Sequence, residues 1–224
     1  MAIRHVFRRQ RDAPTIADIV AAELLASGLT QGDEADMSAF QQPARAYYEL
    51  YLECWKAMDG GPRREQGREP DEAAVIEFRF AYQLMVACDW ALIARGAESV
   101  PFAMQMLASS DSDIREGGAG VLQGIGRAGA ETIDAAVSQL RVESDIQVRD
   151  VLIGALGAMR NPRAIPVLAE LVGDSELDDD SLHGAIEALG KVVRIRFLKR
   201  EDPLAAALEW IANHPDKTMP TSSA

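Results

Sequence analysis

Two cysteines in 224 residues, Cys54 and Cys88, are too few for a disulfide framework and too far apart for a CxxC metal or redox motif. Both read as reduced, buried small hydrophobes, the usual fate of a free cysteine. Aromatic residues make up only 6% of the chain, so alanine and aliphatic side chains must do most of the packing, which favours helices. A basic excess is also missing. The formal net charge is −12, the reverse of a phosphate-tracking footprint, so nucleic acid is excluded as the expected partner. An acidic field steers cationic partners instead, and a protein partner of basic character fits it better. No apolar run approaches the length of a membrane span, and the basic start "MAIRHVFRRQRDAP" leads into no apolar stretch of signal-peptide type. The expectation is a soluble, cytoplasmic protein without a membrane role.

What is present is helical periodicity. Asp12 to Ser27 predicts a first helix, with Pro14 early and Ile16, Ile19, Val20, Ala22, Leu24 and Leu25 forming an apolar stripe. Gly28 stops it, and "GLTQGDEADM" reads as a loop. A second helix is expected from the N-cap candidate Ser38 to about Met58, where Tyr47, Tyr51, Cys54, Trp55 and Met58 recur at helical spacing. That stripe suits a ligand wall or a packed core, and core is the ordinary use of periodic aromatics. "DGGPRREQGREP", Asp59 to Pro70, breaks the pattern with glycine, proline and mixed charge and reads as a linker. A long apolar helix should follow from Asp71 to about Arg95.

Beyond this the chain repeats itself. "IREGGAGVLQGIGRAGAETIDAAVSQL" begins at Ile114, "VRDVLIGALGAMRNPRAIPVLAEL" at Val148, and "SLHGAIEALGKV" at Ser181. Leu122, Leu156 and Leu189 occupy one register position, and a period this regular signals stacked supersecondary units. Each unit splits into two helices. Val148, Leu152, Ala155, Leu156 and Met159 share one face of the first, and Ile165, Leu168 and Val172 one face of the second. An earlier second helix is visible in "RGAESVPFAMQML", where Val100, Met104 and Leu107 match Ile133, Val137 and Leu140. Pro101 and Pro166 hold the same place near the start of a second helix, where proline has no intrahelical bond to lose. "EDPLAAALEWIANH" fits a closing helix with Leu204, Leu208 and Ile211 turned inward, and Met219 to Ala224 a disordered tail.

The "VR" or "IR" start, the "ALG" at Ala155 to Gly157 and Ala188 to Gly190, and the "NPRAIPVLAEL" second helix resemble the short HEAT-like repeats of the bacterial bilin-lyase-related (PBS lyase) family. The resemblance covers about Arg95 to Val192. It implies an all-α fold: a short right-handed α-solenoid of helical hairpins, here following an N-terminal helical region. It also implies an arginine that ties neighbouring units together, with an acidic residue near the helix start. Asp111 with Arg115 and Asp145 with Arg149 fit that role as a structural ladder. The third copy departs, with Ser181 and Leu182 where an aliphatic residue and arginine are expected. The domain expectation is residues 1–70 as helical region and linker, 71–214 as solenoid with its closing helix, and 215–224 as tail.

The same residues carry little that points to chemistry. No His-Glu dipeptide of the HEAT-like dimetal type occurs, and His183 with Glu187 at i, i+4 supplies two ligands at most, a surface pair rather than a metal site. "GIGRAG" has bare G-x-G-x-x-G spacing but no strand before it, so it carries no dinucleotide reading. Acidic residues cluster at equivalent turns: Asp111 and Asp113, then Glu143 and Asp145, then Asp174, Glu176, Asp178, Asp179 and Asp180. They read as helix caps and solvating charge, with a ridge for a basic partner as the functional alternative. "KVVRIRFLKR", Lys191 to Arg200, reads as a helix with solvated cations rather than an adhesive patch.

The function expected is therefore a non-enzymatic protein-interaction scaffold without cofactor, metal or catalytic residues. Its surface is the one formed by second helices, where Gln105, Asp134, Ser138, Arg141, Arg163 and Glu170 are expected to be exposed. Two alternatives stand beside it. One is a bilin-lyase-like, cofactor-handling enzyme, and the other a small acidic inhibitor or immunity-type protein that masks a cationic partner.

Overall fold

The computed structural model describes residues 42–58 and 72–218. The expected helix at Asp12 to Ser27, the loop after it, the N-cap Ser38, the linker Asp59 to Pro70 and the tail from Met219 lie outside these residues. Among the described residues all regular structure is helical. The chain divides into two compact units, Met1–Phe102 and Ala103–Ala224.

In the first unit, α1 (Ala44–Met58) packs along α2 (Glu72–Arg95), and a 3₁₀ turn, Gly96–Ser99, leads into α3 (Val100–Leu107), which belongs to the second unit from Ala103 onward. Tyr47, Leu50, Tyr51, Cys54 and Met58 recur at spacings of three and four and are buried, so the aromatic stripe is core. Ala81, Leu84, Ala87, Cys88, Ala91 and Leu92 are the buried positions among the described side chains of α2. The helix grouped by sequence with the repeats thus packs on α1. The amide of Ala44, unbonded within its own helix, donates to Glu98 Oε1 at 2.9 Å. Glu98 in turn receives Arg95 Nη2 at 2.6 Å. Both cysteines are free and buried; burial pushes the Cys54 thiol up to about 12 and the Cys88 thiol well above its ordinary value.

The second unit is built from α4 (Ser112–Ile125), α5 (Ala130–Val142), α6 (Ile146–Met159), α7 (Ile165–Val172), α8 (Asp179–Val193), α9 (Pro203–Ala212) and the short α10 (Pro215–Thr218). The first helices of successive hairpins, α4, α6 and α8, pack side by side in chain order, while α5 lies on α6 and α7 on α8. Leu122, Leu156 and Leu189, equivalent in the repeat, are all buried to within 1%. Small residues let these helices approach. A Cβ built on Gly157 would lie 2.7 Å from Ala188 Cα, so α6 and α8 cross with backbone nearly in contact. The hairpin turns are set by the chain too. Gly126, Arg160 and Arg194 end α4, α6 and α8 in the left-handed conformation, with φ of 65°, 50° and 63°.

Two expectations are corrected here. "KVVRIRFLKR" is not one helix: α8 ends at Val193, and the Ile195 amide folds back onto Gly190 O at 2.9 Å. A 3₁₀ turn, Phe197–Lys199, then buries Phe197. In α9 the inward residue is Ala207, fully buried, whereas Leu208 is 41% exposed. Pro203 starts the helix, and Asp202 caps it by accepting from the Ala205 amide at 2.9 Å.

Candidate interaction surface

The turns that precede the first helices carry a repeated device. Asp111, Asp145 and Asp178 each stand in extended backbone and accept hydrogen bonds from the two amides that open α4, α6 and α8. This satisfies amides that have no partner inside the helix and places negative charge at its positive end. Hydrogen bonds from the Ser181 amide, first, and the Asp180 amide hold the Asp178 carboxyl below its ordinary range. Asp111 is therefore a cap, and not the partner of Arg115.

That partner is Glu143. Arg115 Nε donates to Glu143 Oε2 at 2.8 Å and Nη2 to Oε1 at 2.9 Å, a two-pronged pair. Nη1 spans the turn to Ser109 O at 3.1 Å and Ser110 O at 3.0 Å. Glu143 also accepts from the amides of Ser144 and Asp145 and from Gln139 Nε2, each at 3.1 Å. Its side chain is only 2% exposed. The Arg115 guanidinium, then the Asp145 amide and Gln139, hold the Glu143 carboxyl down at about 2 against the opposing effect of burial. Arg115 is raised by the same bond. One residue thus joins the start of α4, the end of α5 and the start of α6, and Glu143 cannot belong to an exposed acidic ridge.

The rung is not copied at the next level. Arg149, the counterpart of Arg115, makes no side-chain hydrogen bond or ion pair among the described residues. Glu176, two residues ahead of the capping Asp178 as Glu143 is of Asp145, holds the acceptor's place in the repeat, but it is exposed and does not reach Arg149. Instead Ser181 Oγ, buried, donates to Asp150 Oδ1 at 2.5 Å and links α6 to α8. Of the remaining acidic turn residues, Asp113, Asp174, Glu176, Asp179 and Asp180 are exposed. His183 is exposed as well, but Glu187 pairs with Lys191 Nζ at 3.1 Å.

On the second helices, Gln105, Asp134, Ser138, Arg141, Arg163 and Glu170 are all exposed. Gln105, Ser138 and Glu170 take corresponding places in the repeat on α3, α5 and α7. Four of the charged groups are already engaged with one another between hairpins. Arg163 Nη1 meets Asp134 Oδ2 at 2.6 Å, and Arg141 Nη2 meets Glu170 Oε1 at 3.3 Å. Both pairs are about half exposed, so each contributes at most about 1 kcal/mol to stability. Beside Arg141, Val142 is 75% exposed, an apolar element that the sequence reading passed over because it closes a helix otherwise turned inward. These second-helix positions carry charged, hydroxyl and amide groups, with one exposed apolar side chain beside them.

Three further groups were missed or left aside by sequence. Glu143 sat unnoticed in an acidic turn, two residues ahead of a capping aspartate. Asp150 carried no signal at all. In the first unit, Asp89 has its Oδ1 shut off from solvent without a hydrogen-bond partner, and burial pushes its carboxyl up to about 7. Among the described residues no three His, Cys, Asp or Glu side chains are grouped so as to hold a metal ion, and no helix is long and apolar enough to cross a membrane.

A search of curated proteins found no match to the chain. The family model for HEAT repeats matches it twice, over residues 100–190 and 133–219, and so spans the hairpins that carry the cross-repeat pairs just described. With more than half its length covered by that pattern of stacked helical pairs, the chain belongs to the HEAT-repeat family.

Proposed function

We propose that this protein is a non-enzymatic interaction scaffold that grips a protein partner with its second helices, α3, α5 and α7. The observation that carries this reading is the joint exposure of Gln105, Ser138 and Glu170 at one repeat position, flanked by charges bridged between hairpins. Such bridges hold long side chains in place before a partner arrives, which lowers the ordering cost of binding. A partner of basic character suits the overall charge of −12 and the exposed acidic turns. The narrower kinship with bilin-lyase-related repeats rests on the sequence features quoted above.

The experiment is photo-crosslinking in cells from a benzoylphenylalanine placed at Ser138, with Asp113, on the turn before α4, as control. One partner joined from Ser138 and not from Asp113 supports the reading. Crosslinks that arise equally from both positions, or only from Asp113, refute it. The latter outcome favours the acidic turns as the contact, as an inhibitor of a cationic partner would use them. A coloured purified protein with tetrapyrrole absorbance would favour the cofactor-handling alternative.

A further inference from the structure

The cationic stretch Lys191 to Arg200 is the last of three turns that carry arginine. Gly126, Arg160 and Arg194 close α4, α6 and α8 in the left-handed conformation, and Arg127 follows the first of them. Stacking brings these ends together at one edge of the second unit. A Cβ on Gly126 would lie 3.7 Å from Ala158 O, and one on Gly157 2.7 Å from Ala188 Cα, so the end of each helix lies against the end of the next. Arg127, Arg160, Arg194 and Arg196 are exposed there and make no side-chain hydrogen bond or ion pair among the described residues. The turns themselves, residues 126–129, 160–164 and 194–200, hold no aspartate or glutamate. The capping aspartates Asp111 and Asp145 sit at the opposite ends of 14-residue helices, about 21 Å away, whereas charge is screened over about 8 Å at physiological ionic strength. The edge is thus locally cationic, although the whole chain carries −12.

Two of these arginines also stand where the backbone favours another residue. Arg160 and Arg194 are the non-glycine residues with positive φ among the described residues. Glycine takes that conformation without a clash at Cβ, as Gly126 does, and a cation in the last helical turn would serve the carbonyl end of the helix without it. The fold alone gives no reason for arginine at both places.

We infer that this edge binds an extended acidic segment of a protein partner, one carboxylate to each hairpin turn. It uses none of the residues assigned to the second-helix surface. Packed helices lie ~8–10 Å apart, and the near contact of Gly157 with Ala188 keeps α6 and α8 at the close end of that range. A polyproline II strand turns once in three residues and rises ~3.1 Å with each, so acids three residues apart face one side about every 9 Å. That matches the pitch of the turns. A guanidinium receives each carboxylate with two parallel N–H donors. Phosphates of a nucleic-acid strand, one per ~3.4 Å of duplex, do not match it, and the overall acidity opposes a long polyanion.

The test is fluorescence anisotropy of the full chain with a fluorescein-labelled peptide of four Glu-Pro-Pro repeats. Its controls are a peptide of the same composition with the glutamates in one block, and a labelled thymidine oligonucleotide of equal length. The inference expects the spaced peptide to bind several-fold more tightly than either control. Arg160→Gly with Arg194→Gly should melt no lower than the parent, yet bind the spaced peptide about fivefold more weakly, the loss of two exposed ion pairs. Should the glycine pair alter the fold, Arg127→Ala with Arg196→Ala tests the same edge, with the same direction of effect. Equal binding of spaced and blocked peptides, no binding of either, or an affinity that neither double variant changes would overturn the inference. Tighter binding of the oligonucleotide would do so too, and would assign the edge to nucleic acid.

Discussion

Replacing Glu143 with alanine removes one carboxylate and strands five donors. The Arg115 guanidinium keeps only the carbonyls of Ser109 and Ser110, and the amides of Ser144 and Asp145 and the Gln139 side chain lose their acceptor. Breaking a buried pair by deleting one partner costs about 3–5 kcal/mol. The Arg115 side chain is 14% exposed and can turn partly to water, so the low end of that range applies. The lowered carboxyl agrees in size: a shift from 4.5 to about 2 corresponds to about 3 kcal/mol of linkage energy. With an m-value of about 1.5 kcal/mol/M in urea for a unit of this size, the midpoint of the second unit's transition should fall by about 2 M. The assay is urea denaturation followed by far-ultraviolet circular dichroism at pH 7, with Arg141→Ala as the exposed-pair control.

The pH dependence follows from the same shift. Glu143 binds its proton less readily folded than unfolded, so its contribution is complete above about pH 4.5 and is lost as the pH falls towards 2. Glu143→Gln should therefore be most destabilising at pH 6–7, and its curve should converge on the parent's in strong acid. A midpoint change for Glu143→Ala no larger than that of Arg141→Ala, or a gap that does not narrow on acidification, would refute the reasoning.

Other substitutions probe other joints. Gly157→Ala puts a methyl group 2.7 Å from Ala188 Cα and 2.8 Å from Ala188 Cβ. Neither atom can withdraw without shifting α8, so a loss of about 1–3 kcal/mol is expected as a lower melting temperature; an unchanged melt would mean the helices are farther apart. Arg160→Gly relieves a left-handed residue at φ 50° and should stabilise by about 0.5–1 kcal/mol, and a lower melting temperature would contradict this. Asp89, raised to about 7, favours the folded state below about pH 4, and the advantage fades as the pH rises through 7. Asp89→Asn should thus gain about 2 kcal/mol at pH 8 after allowance for partial exposure, and almost nothing at about pH 3; equal effects at both values would place Asp89 in water.

The hairpins were legible because their causes are local. A period carried by Leu122, Leu156 and Leu189, by the capping Asp111, Asp145 and Asp178, and by matched prolines is written along the chain. The exposure of the second-helix residues followed from the same helical arithmetic. What could not be read were bonds that exist only after the hairpins are stacked. Arg115 was visible as a ladder residue through family resemblance, but its acceptor lies 28 residues on, in a turn whose other acid is a cap. The Ser181 to Asp150 bond uses a residue that looked like a defect in the pattern. Leu208 was misplaced because apolar spacing alone does not show which side of α9 meets a neighbouring helix.

The measurement that bears most directly on the account is partner affinity across a charge-swap series at Arg141 and Glu170, using the partner identified by crosslinking from Ser138. Arg141→Glu and Glu170→Arg each place like charges opposite one another, and the double variant restores an ion pair with its direction reversed. The account predicts that the double variant melts like the parent yet binds the partner at least about tenfold more weakly. Binding that recovers along with stability would show that these residues serve the fold alone and that the partner docks elsewhere.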